Sequence, residues 1–225
     1  MLAAPGMEWR RLEVEGIDEL LGRGVYYGAG RSEAANCANN EVVVVGAGNS
    51  AGQAVMHLAE AGARVTMVVR GGELARSMSA YLVDRIRENE QIRVRVHTHV
   101  TELHAEADHL SAITVTESGG GSERLPADAL FLCIGGVPRT RWAAGSGIGT
   151  DANGYVLTGP DLLVDGRRPE GWPLDRDPLA VETSVPGVFA AGDARHGSTK
   201  RVAGAVGEGS MAVALAHRRL DELHL

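Results

Sequence analysis

Aromatic residues make up only 4% of this 225-residue chain, and it has only two cysteines, Cys37 and Cys133. So few rings leave little material for a base-stacking surface. A formal net charge of −7 provides no basic stripe for phosphate backbones, so nucleic acid is not an expected partner. No apolar run reaches the roughly 18 residues that would span a bilayer, so no membrane partner is expected. Met1 to Gly6 lack a basic region followed by an apolar segment, so no export signal is visible. No Cys-x-x-Cys occurs, and a reducing, cytoplasmic location fits. Cys133, inside Leu130-Phe131-Leu132-Cys133-Ile134, reads as a small buried hydrophobe. Cys37 lies in a polar stretch and reads as a free thiol. Apolar residues amount to 44%, enough for a substantial core in one large or two small domains.

Glycine is abundant, at 30 residues, and one cluster is informative. Glu41-Val42-Val43-Val44-Val45 is a β-branched run that breaks into Gly46-Ala47-Gly48-Asn49-Ser50-Ala51 and then a helical pattern through Glu60. This is the strand–turn–helix of a dinucleotide site. Gly46 permits the tight turn, Gly48 admits a pyrophosphate to backbone amides at the helix start, and Ala51 lets helix and strand pack closely. The following strand, Arg64 to Val69, ends at Arg70-Gly71-Gly72, with Arg76 close behind. An acidic residue at that strand end would select a ribose hydroxyl, whereas arginine suits a 2′-phosphate. Arg70 and Arg76 therefore point to NADP(H), with Glu73 the nearest rival.

The same residues carry a second reading. Gly48-Asn49-Ser50-Ala51-Gly52 fits G-x-S-x-G, the turn of a serine hydrolase, with Ser50 as nucleophile and Asp193 then His196 or His217 in the required order. Against it, such a turn has no need of Gly46, and only 40 residues precede the strand. The stretch His97-Thr98-His99, with His104 and His109 beyond, invites a metal reading because alternate strand residues share a face. No cysteine or tight carboxylate cluster joins them, so solvated histidines and no metal are expected.

Along the chain, Arg11 to Val14 reads as a short strand. From Val25 to about Ile134 the pattern is β-α-β-α-β-β-β, with a helix from Ser77 to Glu88. Strands are expected near Val94, Ile113 and Leu130, and a glycine-rich hairpin turn from Thr116 to Gly121 joins the last two. Gly135 to Gly149 suggests a hinge. Residues 154–158 and 185–191 read as strands, and Pro160 to Pro178 as a loop. Val202 to Leu223 reads as a helix whose Gly204, Gly207 and Gly209 each cost about 1 kcal/mol against alanine. Three together suggest a flat or bulky group lying against the helix start.

A second constellation, Gly187-Val188-Phe189-Ala190-Ala191-Gly192-Asp193 followed by Lys200-Arg201-Val202-Ala203, completes a pattern. On these residues, with the Gly46–Ala51 loop upstream, the chain resembles the thioredoxin-reductase-like branch of the two-dinucleotide-domain flavoprotein oxidoreductases, over nearly its whole length. The resemblance implies an α/β fold: a Rossmann-like NAD(P)-binding domain, with a parallel sheet, helices and a β-meander, packed with a partial FAD-binding domain. It divides the chain into 1–24 (a remnant of the FAD domain and a crossing), 25–138 (the NADP(H) domain) and 139–225 (the C-terminal part of the FAD domain). Asp193 after Gly192 would hold the flavin ribityl chain, and Arg201, Val202 and Ala203 would border the flavin ring. Gly24-Val25-Tyr26-Tyr27 would be the outward crossing and Ile134-Gly135-Gly136-Val137-Pro138 the return. A homodimer and hydride transfer from NADPH to FAD, then to an acceptor, are implied as well.

Three departures qualify this. Gly71 stands where a second basic residue is usual. Gly28 to Ala34 occupy the place of the redox-active Cys-x-x-Cys, so electrons would pass without a dithiol relay. The glycine fingerprint for the adenosine diphosphate half of FAD is missing from residues 1–40. The sequence therefore resembles the C-terminal two-thirds of a larger enzyme, which leaves a nucleotide-binding fragment or subunit as the alternative.

Overall fold

The computed structural model describes residues 1–28 and 36–223. The segment in the Cys-x-x-Cys place, Ala29 to Ala34, therefore lies outside the described residues. Two short strands open the chain, β1 (Leu2–Ala3) and β2 (Met7–Trp9). The residues divide into two compact units, one running from Trp9 to Gly135, the other combining Met1–Glu8 with the residues from Gly136 onward.

The Trp9–Gly135 unit contains β3 (Val25–Tyr27), β4 (Glu41–Val45), α1 (Asn49–Glu60), β5 (Arg64–Val68), α2 (Ala80–Glu88) and β6 (Ile92–Arg95). A meander follows, β7 (Thr98–Glu106), β8 (His109–Glu117) and β9 (Ser122–Pro126), and then β10 (Ala129–Leu132). The central sheet is parallel, in the order β3-β10-β4-β5-β6. The unbroken valine run of β4 follows from burial on both faces, as expected of a parallel sheet. Val42 and Val44 face Leu58, Met67, Ile86 and Phe131 on the side of α1 and α2. Val43 and Val45 face Val100, Ile113 and Val115 of the antiparallel meander.

Several expectations are corrected here. β3 is an edge strand of this sheet, and Ile17 and Leu20 share its core with Val25. No strand forms at Arg11–Val14. The turn at Glu117–Gly121 leads into an extra strand, β9, before β10 returns to the sheet. The second helix starts at Ala80, not Ser77, because both serines are used elsewhere. Ser77 Oγ donates to Ala47 O and Ser79 Oγ to Asn49 Oδ1.

The other unit contains β11 (Gly136–Pro138), paired with β2; β12 (Phe189–Ala190), parallel to β1; and α3 (Val202–Glu222). The expected strand at 154–158 is reduced to isolated bridges at Val156, and that at 185–191 to β12 alone. Apart from a short 3-10 turn at Gly159–Leu162, residues 160–178 form the expected loop. No helix among the described residues is long and apolar enough to cross a membrane.

Candidate functional site

Tyr27, Leu132, Val45, Val68 and Arg95 stand in register at the carboxyl ends of the five parallel strands. Ligands of open α/β sheets bind along this edge. Gly46 leaves β4 at φ 145, and a Cβ there would collide with the Cys133 carbonyl oxygen, so only glycine can make the turn. Gly48 is the N-cap of α1, with open space where a Cβ would be. The cap has no side-chain hydrogen bond and the first turn no acidic residue. The opening amides of α1, at Asn49, Ser50 and Ala51, lack carbonyl partners one turn earlier and present a partial positive charge. Ala51 is fully buried. Asn49 is turned to a structural use, its Oδ1 accepting from both the amide and the hydroxyl of Ser79 at 2.7 Å.

The loop therefore fits a nucleotide pyrophosphate: backbone donors, no competing carboxylate, and room for close approach. Sequence reading missed its supports. Ser77 and Ser79 tie the loop to the entry of α2, and a Cβ on Gly52 would meet Met78 Sδ at 2.8 Å. No local pattern announces such contacts across some 30 residues of chain.

Arg70 lies just past β5 and Arg76 in the turns before α2. Both are exposed, and among the described residues neither makes an ion pair. They remain available to an anion at this edge. Cys133, beside the loop, is half-buried rather than fully buried, and burial pushes its thiol up to about 11. Cys37, despite its polar sequence neighbours, is buried in the core. His97 stands outside β7 at φ 52 and so does not share a strand face with His99. Ser50 is a first-turn helical residue without the strained backbone of a hydrolase nucleophile. His196 takes Asp151, not Asp193, as its carboxylate, at 2.9 Å.

Gly135, at φ 76, closes the Trp9–Gly135 unit. In the other unit, Gly192 (φ 76) starts a 3-10 turn through Ala194 that carries the half-buried Asp193. The Gly192 amide donates to Glu208 Oε2 at 2.8 Å, and Arg195 Nη2 to Glu208 Oε1 at 2.8 Å. Burial pushes the Glu208 carboxyl up, but these two donors outweigh it and hold it below its usual range. Arg201 is the N-cap of α3, without side-chain capping and with no acid in the first turn. Val202 is 84% exposed, and Ala203 is exposed beside it. A carboxylate for hydroxyls and an uncapped helix start flanked by apolar groups fit a flavin's ribityl chain and ring. Gly204 has another cause than a flat ligand, since a Cβ there would meet Thr199 Oγ1 at 2.6 Å. Gly207 and Gly209 face open space.

With this geometry in hand, the comparisons converge. The family model described as pyridine nucleotide-disulphide oxidoreductase matches residues 1–209. A thioredoxin reductase of Listeria innocua is 31% identical over 224 residues, 99% of this chain and 63% of that protein. The Bacillus subtilis thioredoxin reductase is 32% identical over 224 residues, 99% of this chain and 64% of that protein. Among solved structures, T. acidophilum thioredoxin reductase superposes with a TM-score of 0.73 at 25% identity, covering 99% of this chain and 65% of that one. The Lactococcus lactis enzyme gives 0.75 at 25% identity, covering 98% and 66%. The chain thus spans less than two thirds of the length of these two sequence relatives.

Proposed function

We infer the function of this chain from its kinship: it belongs to the pyridine nucleotide-disulphide oxidoreductase family. On that basis it is an NADPH-dependent flavoprotein oxidoreductase of thioredoxin reductase type, passing electrons to an acceptor without a dithiol relay. The observation that carries this reading is the uncapped, glycine-turned start of α1, with Arg70 and Arg76, unpaired among the described residues, on the same unit. Main-chain amides of Gly48, Asn49, Ser50 and Ala51 hold the pyrophosphate, and Gly46 shapes the turn. Arg70 and Arg76 take the 2′-phosphate by charge-assisted hydrogen bonds. Asp193, presented by Gly192, accepts from the ribityl hydroxyls of FAD, while Arg201, Val202 and Ala203 border its ring. Gly135 serves the return between the units.

FAD, when bound, supplies a hydride acceptor. The chain's own contribution is to position both coenzymes and to favour negative charge at the flavin through the α3 dipole, with no side chain acting as acid or base. A cytoplasmic location and a homodimer belong to the same proposal, supported by the resemblance.

One observation favours a second reading, in which the chain binds nucleotide without turning over flavin. Only Ala212 of the 21-residue α3 is buried, so the unit that would hold FAD encloses little. Anaerobic mixing of the chain with FAD and NADPH separates the two. Loss of the oxidised flavin absorbance supports the redox function. Bound FAD whose spectrum persists refutes it, and NADPH binding with no FAD binding establishes the second reading.

A further inference from the structure

We propose that His97 is a specificity-determining residue of the coenzyme site, its imidazole reading the 2′-phosphate together with Arg70; this rests on the NADPH reading above. β5 and β6 end side by side, and the chain beyond each stays paired. The Val69 amide donates to Arg95 O at 2.8 Å, the Thr98 amide to Val69 O at 3.0 Å and the His97 amide to Gly71 O at 2.9 Å. His97 is thereby fixed against the segment that follows Arg70, on the carboxyl edge that offers the α1 amides. Its φ of 52 is uncommon for a residue with a Cβ. From the other side, the Ser118 amide and hydroxyl both donate to His97 O, at 2.8 and 3.1 Å.

The ring lies over Gly72. A Cβ there would come within 2.7 Å of His97 Nε2 and 2.8 Å of Cε1. Gly71 and Gly72 contribute no side chains next to Arg70, and the imidazole, carried in by the link between β6 and β7, lies over Gly72. Arg95, at the end of β6, is committed to Glu123 at 2.6 Å. His97 is exposed, and among the described residues no carboxylate pairs with it. A phosphate gains from each further donor aimed at it. An exposed nitrogen held over Gly72, two residues beyond Arg70, adds one to the two arginines.

The test is a fluorescence titration of the full chain with NADPH and with NADH. His97→Asn keeps a residue that tolerates the left-handed backbone but removes the imidazole. It is expected to weaken NADPH binding by about 5- to 10-fold and leave NADH unchanged. His97→Lys restores the preference through a permanent charge. Gly72→Ala keeps the imidazole but pushes it aside, and falls between the two. A His97→Asn variant with the unaltered NADPH-to-NADH ratio, or with equal losses for both, overturns the inference while the proposed function stands. Failure of the unsubstituted chain to bind either coenzyme overturns both.

Discussion

The two units are held together by different physics. Trp9–Gly135 buries its sheet on both faces, helices on one side and the meander on the other, almost entirely through apolar contact. The other unit has two small apolar clusters, around Val156 and around Phe189, and relies on ion pairs. Glu182, fully buried, accepts from Arg176 at 2.6 and 3.2 Å and from the amides of Leu179 and Gly187 at 2.9 and 2.8 Å. Arg176 reaches on to Glu222 of α3 at 3.0 Å, tying the 160–178 loop to the helix. A sheet with a large core can shape a ligand edge by itself, whereas a unit with few strands depends on each carboxylate.

The sharpest way to break this contrast is Glu182→Ala. It leaves Arg176 and two amides without their acceptor and should destabilise its unit by about 3–5 kcal/mol. Calorimetry should then show a lowered transition for that unit beside an unchanged one for Trp9–Gly135. Next, Leu58→Ala, which opens a cavity in the apolar unit, should cost about 3 kcal/mol and leave the transition of the ion-paired unit in place. Equal effects on both transitions from either variant would contradict the contrast.

Acid should separate the units less steeply. Burial pushes the Glu182 carboxyl up, but Arg176 and the two amides outweigh it and hold it below its usual range; Glu208 behaves likewise. A lowered folded-state value means that the stabilisation is present above the unfolded carboxylate range. It is lost as pH falls through that range towards the folded value. Near-ultraviolet circular dichroism during acid titration should show the tryptophans of the 136–223 region, Trp142 and Trp172, losing their signal before the Trp9–Gly135 core. The smallest effect belongs to Arg168, exposed in the loop with Asp175 and Asp177. Arg168→Ala should leave the melting temperature unchanged, as expected for a solvated pair.

The same contrast explains what the sequence reveals. β4, the glycine turn and α1 are legible to the residue, because a continuous valine run and Gly46 are local consequences of two-sided burial and a tight turn. Asp193 and the start of α3 are legible for a similar reason, a short apolar strand breaking into glycine. Strands in the sparser unit are not. Residues 154–158 carry a short apolar run, Tyr155-Val156-Leu157, yet only isolated bridges form there, at Val156. The offset at Ser77 and the left-handed turn at His97 come from partners distant in sequence, which no periodicity encodes. Nothing in the sequence around Glu182 and Glu208 marks them, because what makes them structural is an arginine or an amide brought near only by folding.

The central claim is that the edge beyond β4 grips a phosphorylated pyridine nucleotide, and titration calorimetry of the chain with NADPH and NADH tests it most directly. We expect NADPH to bind the more tightly, by about 10- to 100-fold, and Arg70→Ala to abolish most of that difference. Equal affinity for the two coenzymes, or no heat with either, would contradict it.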